Sequence, residues 1–455
     1  MNRLDNTSRI HIVGVGGAGM SALALLLHEM GAAVSGSDAI DSSTMRELRR
    51  AGIRVVVGHD AKNLGDATIV TWSPAVGHDN VELTEAARTG RTMLSRGQIL
   101  AQLAELRRVV GLTGTHGKTT ATSMMVHVMR AAGYDCARLL GAPVRGVGAN
   151  GHWGSDDLVV EVDESYGTFA LLAPYALGLL NVEADHLDHY GSLEALDVAF
   201  RDLVNRTTGP VVAWADDRGA RRVVEGSARN VVLVGTNDEV QWRVCDIEVD
   251  RHHSSFWLRG PSEELRVTLG VTGRHNVANA AVVGVLALSV GIPPQEVIEG
   301  LENFLGAPRR FEFRGSWRGV DVYEDYAHLP GEIRATLEAT RAAGYERIAV
   351  VFQPHRVTRT VNLVQDFAGA FDGASRVVVT DIYAAGEANP TGVTGELIVH
   401  GIRGAGPDVE TVYCASLNDV PARLEPWHDT SDVLLLLGAG DVATVADRLR
   451  GGLSR

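Results

Sequence analysis

The chain has 455 residues, of which 22% are charged and 45% hydrophobic, and a formal net charge of -14 at pH 7. That length exceeds one ordinary core and sets an expectation of about three domains, while the balance of charge and apolar residues excludes a disordered chain. The acidity argues against a nucleic-acid groove, although backbone amides and a few local cations can still bind phosphate in an acidic protein.

The N-terminal stretch MNRLDNTSRIHIVGVGG has neither the basic start nor the long apolar run of a signal peptide. No apolar run is long enough to cross a bilayer, so a cytoplasmic chain without membrane insertion is expected. Cys136, Cys245 and Cys414 are scattered without a CxxC pair, which disfavours a disulfide framework or a thiolate zinc site.

Along the chain, short β-branched runs alternate with helical patterns, the mark of parallel sheets with crossover helices. A strand over Ile10–Val13 leads through Gly14, Gly16, Gly17, Ala18 and Gly19 into a helix over Met20–Met30. The turn fits GxGxxG, and Asp38 ends the next strand about twenty residues on. Taken alone, this motif suits a dinucleotide dehydrogenase, yet the same turn can hold any diphosphate, including that of a nucleotide sugar. Further strands are expected at Arg54–Val57 and around Val70, which ends at Ser73, and a helix at Gly97–Leu106.

A new unit begins near residue 107 with a strand over Arg108–Leu112 running into Gly114-Thr115-His116-Gly117-Lys118-Thr119-Thr120. A glycine-rich turn between a buried strand and a helix presents amides to phosphate oxygens. Lys118 would reach the terminal phosphates of ATP, and the Thr119 hydroxyl would sit on magnesium. The loop is a variant, because Leu112 stands where the strict pattern has glycine. Strands follow at Leu158–Val162, Leu177–Asn181, Val211–Trp214 and Val231–Val234. Residues Gln241 to Leu269 alternate like an antiparallel insertion, and a helix spans Asn276–Val290. Two acidic runs close strands here: Glu161-Val162-Asp163-Glu164-Ser165, and Glu183 to Tyr190 with His186. Carboxylate oxygens and an imidazole at adjacent strand ends suit Mg2+ beside ATP phosphates. Surface loops of ordinary charge are the bland alternative.

A third unit has strands at Val320–Tyr323, Ile348–Phe352, Arg376–Thr380 and Val433–Leu437. Glu324 to His328 follows the first strand, and Gln353 to Arg359 the second. Two arginines beside a histidine at a strand end suggest an anion clamp, against a plain charged turn as the alternative.

The ordered set IHIVGVGGAGMSALA, VSGSD, GTHGKTT, EVDES, NVEADHLDHY, GRHNVANA, RRFE, EDYAH, VVFQPHR, DIYAAGE and LGAGD resembles the Mur ligase family over nearly the whole chain. The resemblance implies an α/β fold with three domains in series: a Rossmann-like UDP-sugar-binding domain at 1–106, a P-loop-type central ATPase domain at 107–308, and a Rossmann-like amino-acid-binding domain at 309–455. It also implies ATP-dependent ligation of L-alanine to the lactyl carboxylate of UDP-N-acetylmuramate through an acyl phosphate, by a monomer or homodimer. The alternative within the family is another incoming amino acid, or recycling of a murein peptide.

Residue by residue, the resemblance assigns Lys118, Glu161 and His186 to catalysis, with Thr119, Glu161 and His186 at magnesium. ATP would be bound by the loop 114–120 and by His275, Asn276, Arg310 and Asp325. The UDP-sugar would lie against Gly14, Gly16 to Gly19, Met20, Ser21, Ser37, Asp38 and Ser73. Tyr326, His328, His355, Arg356 and Arg359 would surround the amino acid, the arginines pairing its carboxylate. Leu329 stands where the alanine-adding members show a second histidine, and Tyr166 replaces a usual Asp.

Overall fold

The computed structural model describes residues 4–77, 79–185, 187–405, 409–449 and 453–454. The chain divides into two compact units, Met1–Glu248 with His253–Ala307, and Val249–His252 with Pro308–Arg455.

The first unit holds two sheets. In the first, β1 (Arg9–Val13), β2 (Ala33–Asp38), β3 (Arg54–Val57), β4 (Ile69–Trp72) and β5 (Thr92–Met93) are all parallel, in the order β3-β2-β1-β4-β5. The strand order reverses at β1, which opens the ligand crevice of such sheets at the carboxyl ends of β1 and β4. Ile10, Ile12 and Val13 are fully buried, as expected of a central strand covered on both faces. The following helix spans Ala18–Glu29 and buries Leu23, Leu26 and Leu27.

The second sheet has ten strands: β6 (Val109–Thr113), β7 (Ala137–Leu139), β8 (Gly151–His152), β9 (Leu158–Glu161), β10 (Ala176–Leu179), β11 (Val211–Trp214), β12 (Val232–Gly235), β13 (Trp242–Val249), β14 (Ser254–Arg259) and β15 (Glu264–Leu269). Their order is β15-β14-β13-β12-β11-β10-β6-β9-β7-β8. The segment expected as an antiparallel insertion instead lengthens this sheet: β14 and β15 are antiparallel, but β13 runs parallel to β12. Its alternating burial reports only that one face is covered, which says nothing of strand direction.

The two sheets are fastened together through the helix Ala18–Glu29. A Cβ on Gly151 would lie 1.9 Å from the Ala22 carbonyl oxygen, so β8 can seat there only as glycine. Asn150 Nδ2 donates to the Ala18 carbonyl at 3.0 Å, and His152 Nδ1 lies 2.7 Å from Glu29.

The second unit contains β16 (Glu312–Trp317), β17 (Val320–Asp325), β18 (Ile348–Phe352), β19 (Arg376–Val379), β20 (Glu410–Tyr413), β21 (Val433–Leu437) and β22 (Leu453–Ser454), in the order β20-β19-β18-β21-β17-β16-β22. β17, β21, β18, β19 and β20 are parallel, and β16 turns back on β17 as a hairpin. The all-apolar β21 is buried throughout between β18 and β17, so the loops after those two strands flank its carboxyl end.

Candidate active site

β6 is buried along its whole length and delivers the chain to the phosphate-type loop. Gly114 has φ +143°, and a Cβ there would sit 2.9 Å from the Asn181 carbonyl; Gly117 has φ +83° and caps the helix Lys118–Ala131. Both positions require glycine, for conformation and for closeness. Asn181, at the end of the neighbouring β10, holds the loop: its carbonyl accepts from the Thr115 amide at 3.1 Å and its Oδ1 from the His116 amide at 2.7 Å. A helix leaves the amides of its first turn, here Lys118 to Thr120, without internal partners, so they can meet an anion.

Lys118 Nζ donates to Glu164 Oε2 at 2.7 Å and to the Gly114 carbonyl at 2.8 Å, with Asp163 Oδ1 at 3.6 Å. Burial works against its charge, but the Glu164 and Asp163 carboxylates outweigh burial and hold its pKa above the usual lysine value. Thr119 Oγ1 donates to Glu161 Oε1 at 2.9 Å, and the Gly141 amide donates to Glu161 Oε2 at 3.0 Å. A hydroxyl and a carboxylate side by side at the loop are hard oxygen donors, the set that suits magnesium with phosphate and water. His186 lies outside the described residues. Among the described residues no group of three acidic, histidine or cysteine side chains is gathered as a metal site. His275 lies exposed in the first turn of the helix Arg274–Ser289, while Asn276 is buried with Nδ2 on the Thr272 carbonyl at 2.7 Å. Asn279 of the same helix faces Gly117, where an added Cβ would lie 2.7 Å from its Oδ1.

In the first sheet, Gly14, Ser37 and Ser73 meet at the carboxyl ends of β1, β2 and β4. Gly14 has φ +77°, and its Cβ would lie 2.9 Å from Ser73 Cβ. The Gly16 amide is taken by Asp38 Oδ2 at 2.9 Å, and Asp38 Oδ1 accepts from the Ile40 amide at 3.1 Å. Asp38 therefore ties the glycine loop through Oδ2 and its own following turn through Oδ1. The Gly17 amide turns back on the Gly14 carbonyl at 3.4 Å. Ala18 and Gly19, in the first turn of the helix, keep the amides available to a diphosphate. Met20 and Ser21 are buried, and Ser21 Oγ donates to the Ala18 carbonyl at 3.0 Å. Ser37 is buried as well, its hydroxyl on Glu82, which also accepts from Asn63 Nδ2 at 2.6 Å and lies 3.5 Å from His11 Nε2.

In the second unit, Tyr326 carries the Arg309 and Arg310 guanidinium groups over its ring at 4.8 and 5.3 Å. Asp325 accepts the Phe311 and Ala327 amides at 2.7 and 2.8 Å. The His328 and His355 rings meet edge-on with centroids 5.6 Å apart, and Tyr383 stacks on His355 at 5.7 Å. Arg359 Nη1 lies 3.1 Å from His355 Nδ1; guanidinium can only donate, so Nδ1 accepts and the ring proton sits on Nε2. Burial, with His328 and both arginines adding their charges, pushes the His355 pKa down to about 4. Arg356 has φ +70°, a strained value for a side-chain-bearing residue, and its Nη1 lies 3.9 Å from Glu387. Leu329 precedes the helix Pro330–Ala342, its amide held by Glu332 Oε2 at 3.0 Å.

Several residues the motifs did not single out are central to this geometry: Glu164 on Lys118, Asn181 under the loop, Glu332 and Tyr383 around the histidines, and Arg96 against Gly19. Glu164 had a visible signal, since it directly follows a strand in the acidic run; Arg96 had none.

Comparison with known proteins agrees with these three sheets. The Mur ligase catalytic, middle and glutamate ligase domain models match residues 9–108, 112–287 and 309–440. The chain is 41% identical to a UDP-N-acetylmuramate–L-alanine ligase of Thermobifida fusca, covering 98% of this chain and 97% of that one. It is 40% identical to the protein of the same name in Nitratidesulfovibrio vulgaris, over 97% and 98%. The crystal structure of UDP-N-acetylmuramate-alanine ligase from Thermotoga maritima superposes with a TM-score of 0.81 at 30% identity, over 97% of this chain and 98% of that one. A murein peptide ligase from Psychrobacter arcticus shares the fold at a TM-score of 0.72 and 23% identity, over 98% of both chains. With family models on all three sheets and full-length relatives at 40–41% identity, this chain belongs to the Mur ligase family.

Proposed function

We propose that this chain uses ATP to activate the lactyl carboxylate of UDP-N-acetylmuramate and joins L-alanine to it; its full-length relatives are named UDP-N-acetylmuramate–L-alanine ligases. The observation that carries the reading is the pair of anion-binding turns in one compact unit, Gly14–Gly19 on the first sheet and Gly114–Thr120 on the second. A dehydrogenase needs the first turn only and leaves the second without a purpose.

In this reading the carboxylate oxygen attacks the γ-phosphorus, ADP leaves, and the alanine amine then displaces phosphate from the acyl carbon to give the amide. Lys118 spreads its charge over the transferring phosphoryl group, and positioning does the rest. Thr119 and Glu161, with His186, would hold Mg2+, which supplies neutralising charge at the phosphates. Arg356 and Arg359 would pair the amino-acid carboxylate, with the neutral His355 beside them. Arg310 and Asp325 would contact ATP. Domain boundaries fall at 106/107 and 308/309 in this scheme, and the ATP and nucleotide-sugar substrates place the reaction in the cytoplasm.

Phosphate release measured against a panel of UDP-sugars and amino acids tests this. Release should require UDP-N-acetylmuramate and L-alanine together. Facing the substrate side chain, the apolar Leu329 would favour L-alanine over serine; lacking one methyl, glycine should be a poor but detectable substrate, by roughly 1–3 kcal/mol. A preference for serine or for a peptide would defeat the alanine assignment and leave the ligase chemistry standing.

A further inference from the structure

We propose that Arg96 binds the diphosphate of the UDP-sugar, closing on it from outside the glycine loop; this rests on the UDP-sugar reading above. Arg96 is the first residue of the helix Arg96–Leu106, which Ser95 and Gln98 cap reciprocally. Its guanidinium lies on Gly19: a Cβ built there would be 2.8 Å from Cζ, 2.9 Å from Nη1 and 3.1 Å from Nη2. In dinucleotide-binding turns the third glycine serves close packing of helix on strand. Here the space it leaves is filled by a cation.

That cation lies against the local field. It sits at the positive end of the helix Ala18–Glu29 and in the first turn of its own helix, where dipoles favour an anion instead. Among the described residues its Nε is buried without a hydrogen-bond partner. A diphosphate on the Ala18 and Gly19 amides would satisfy the helix end and the guanidinium together, in the charge-assisted geometry arginine favours.

Calorimetric binding of UDP-N-acetylmuramate, UDP-N-acetylglucosamine and UDP, without ATP, separates the possibilities. Arg96→Ala should weaken all three by a similar factor, roughly 10- to 100-fold, the scale of hydrogen bonds to a charged group. Arg96→Lys should recover part of that, while ATP binding and Tm stay as in the wild type. Gly19→Ala, which drives a methyl into the guanidinium, should act in the same direction and serves if Arg96→Ala folds poorly. Unchanged affinity in folded Arg96→Ala overturns the proposal. Loss confined to UDP-N-acetylmuramate would put Arg96 at the lactyl carboxylate and overturn the diphosphate assignment. Wild-type protein that binds none of the three ligands would sink the UDP-sugar reading itself.

Discussion

Lys118 and Glu164 form a buried ion pair, Nζ to Oε2 at 2.7 Å, with the Glu164 side chain only 1% exposed. The lysine that would serve the phosphates is thus held in place by an acid at the end of the adjacent strand. Lys118→Ala should lower kcat by at least 10²–10³-fold, as loss of a preorganised charge does, while UDP-sugar binding persists. The variant should also be less stable near neutral pH, because an unpaired buried carboxylate remains. Burial already holds the Glu164 pKa above the usual carboxylate value in spite of Lys118, and loss of the lysine raises it further. A folded carboxyl with a raised pKa binds more protons than the unfolded one, so the deficit should shrink as pH falls. Near-normal turnover in the folded variant would remove the ATP-loop assignment.

Gly17→Asp separates binding from folding. Gly17 caps the helix Ala18–Glu29 with ordinary extended backbone, φ -68°, and the nearest atom to an added Cβ is the Gly14 carbonyl at 3.6 Å. Aspartate is a favoured helix cap, so thermal stability should hold or rise slightly. The new carboxylate would meet the diphosphate, and UDP-sugar affinity should fall more than tenfold. If NADH bound this domain better than the UDP-sugar, the dehydrogenase reading would return.

Glu82 gives the first unit a defined acid sensitivity. Burial alone would raise its pKa, but hydrogen bonds from His11, Ser37, Asn63 and the Asp60 amide bring it down to about 2 from the usual 4.5. An acid with a depressed folded pKa adds stability above its unfolded value and loses it as pH falls toward the folded one. About 3 kcal/mol should therefore disappear between pH 4.5 and 2. Glu82→Gln should cost about 1–3 kcal/mol at neutral pH and flatten that slope in thermal melts. An unchanged slope would assign the acid sensitivity elsewhere.

Arg359→Ala should raise the KM for alanine strongly and that for ATP little, since removing one partner of a desolvated charge pair costs about 2–5 kcal/mol. The same change should move the His355 pKa upward from about 4, because burial and His328 remain but one neighbouring cation is gone. In the parent, His355 binds fewer protons folded than unfolded, so it subtracts stability as pH falls from 6.5 toward 4. Imidazole chemical shifts followed through pH check this; an unmoved His355 would show that Arg359 does not set its charge state.

Glu161→Gln should weaken magnesium binding while leaving the loop folded, because the glutamine carbonyl oxygen can still accept from the Gly141 amide and its NH2 can donate to the Thr119 hydroxyl oxygen. Turnover titrated with magnesium should shift to higher concentration. An unshifted titration would take Glu161 out of the metal site.

The parallel strands, the two glycine turns and the strand ends where chemistry gathers were legible in the residues alone. Buried parallel strands demand near-continuous apolar runs, such as β6 and β21, and a turn with positive φ demands glycine, as at Gly14, Gly114 and Gly117. These are local requirements, and local requirements leave a mark in the residues that meet them. The short edge strands β5, β8 and β22 left no such mark, because two residues carry no period. The packed sheet fixes β13 parallel to β12, since alternation reports a covered face and not a direction. Packing also sets how the acids and cations are shared: Asp38 on the Gly16 amide, Glu164 on Lys118, Arg96 on Gly19. Arg96 lies 77 residues from Gly19 in the chain. Charge pairing at that separation depends on which helix ends the fold brings together, and no pattern of neighbouring residues encodes it.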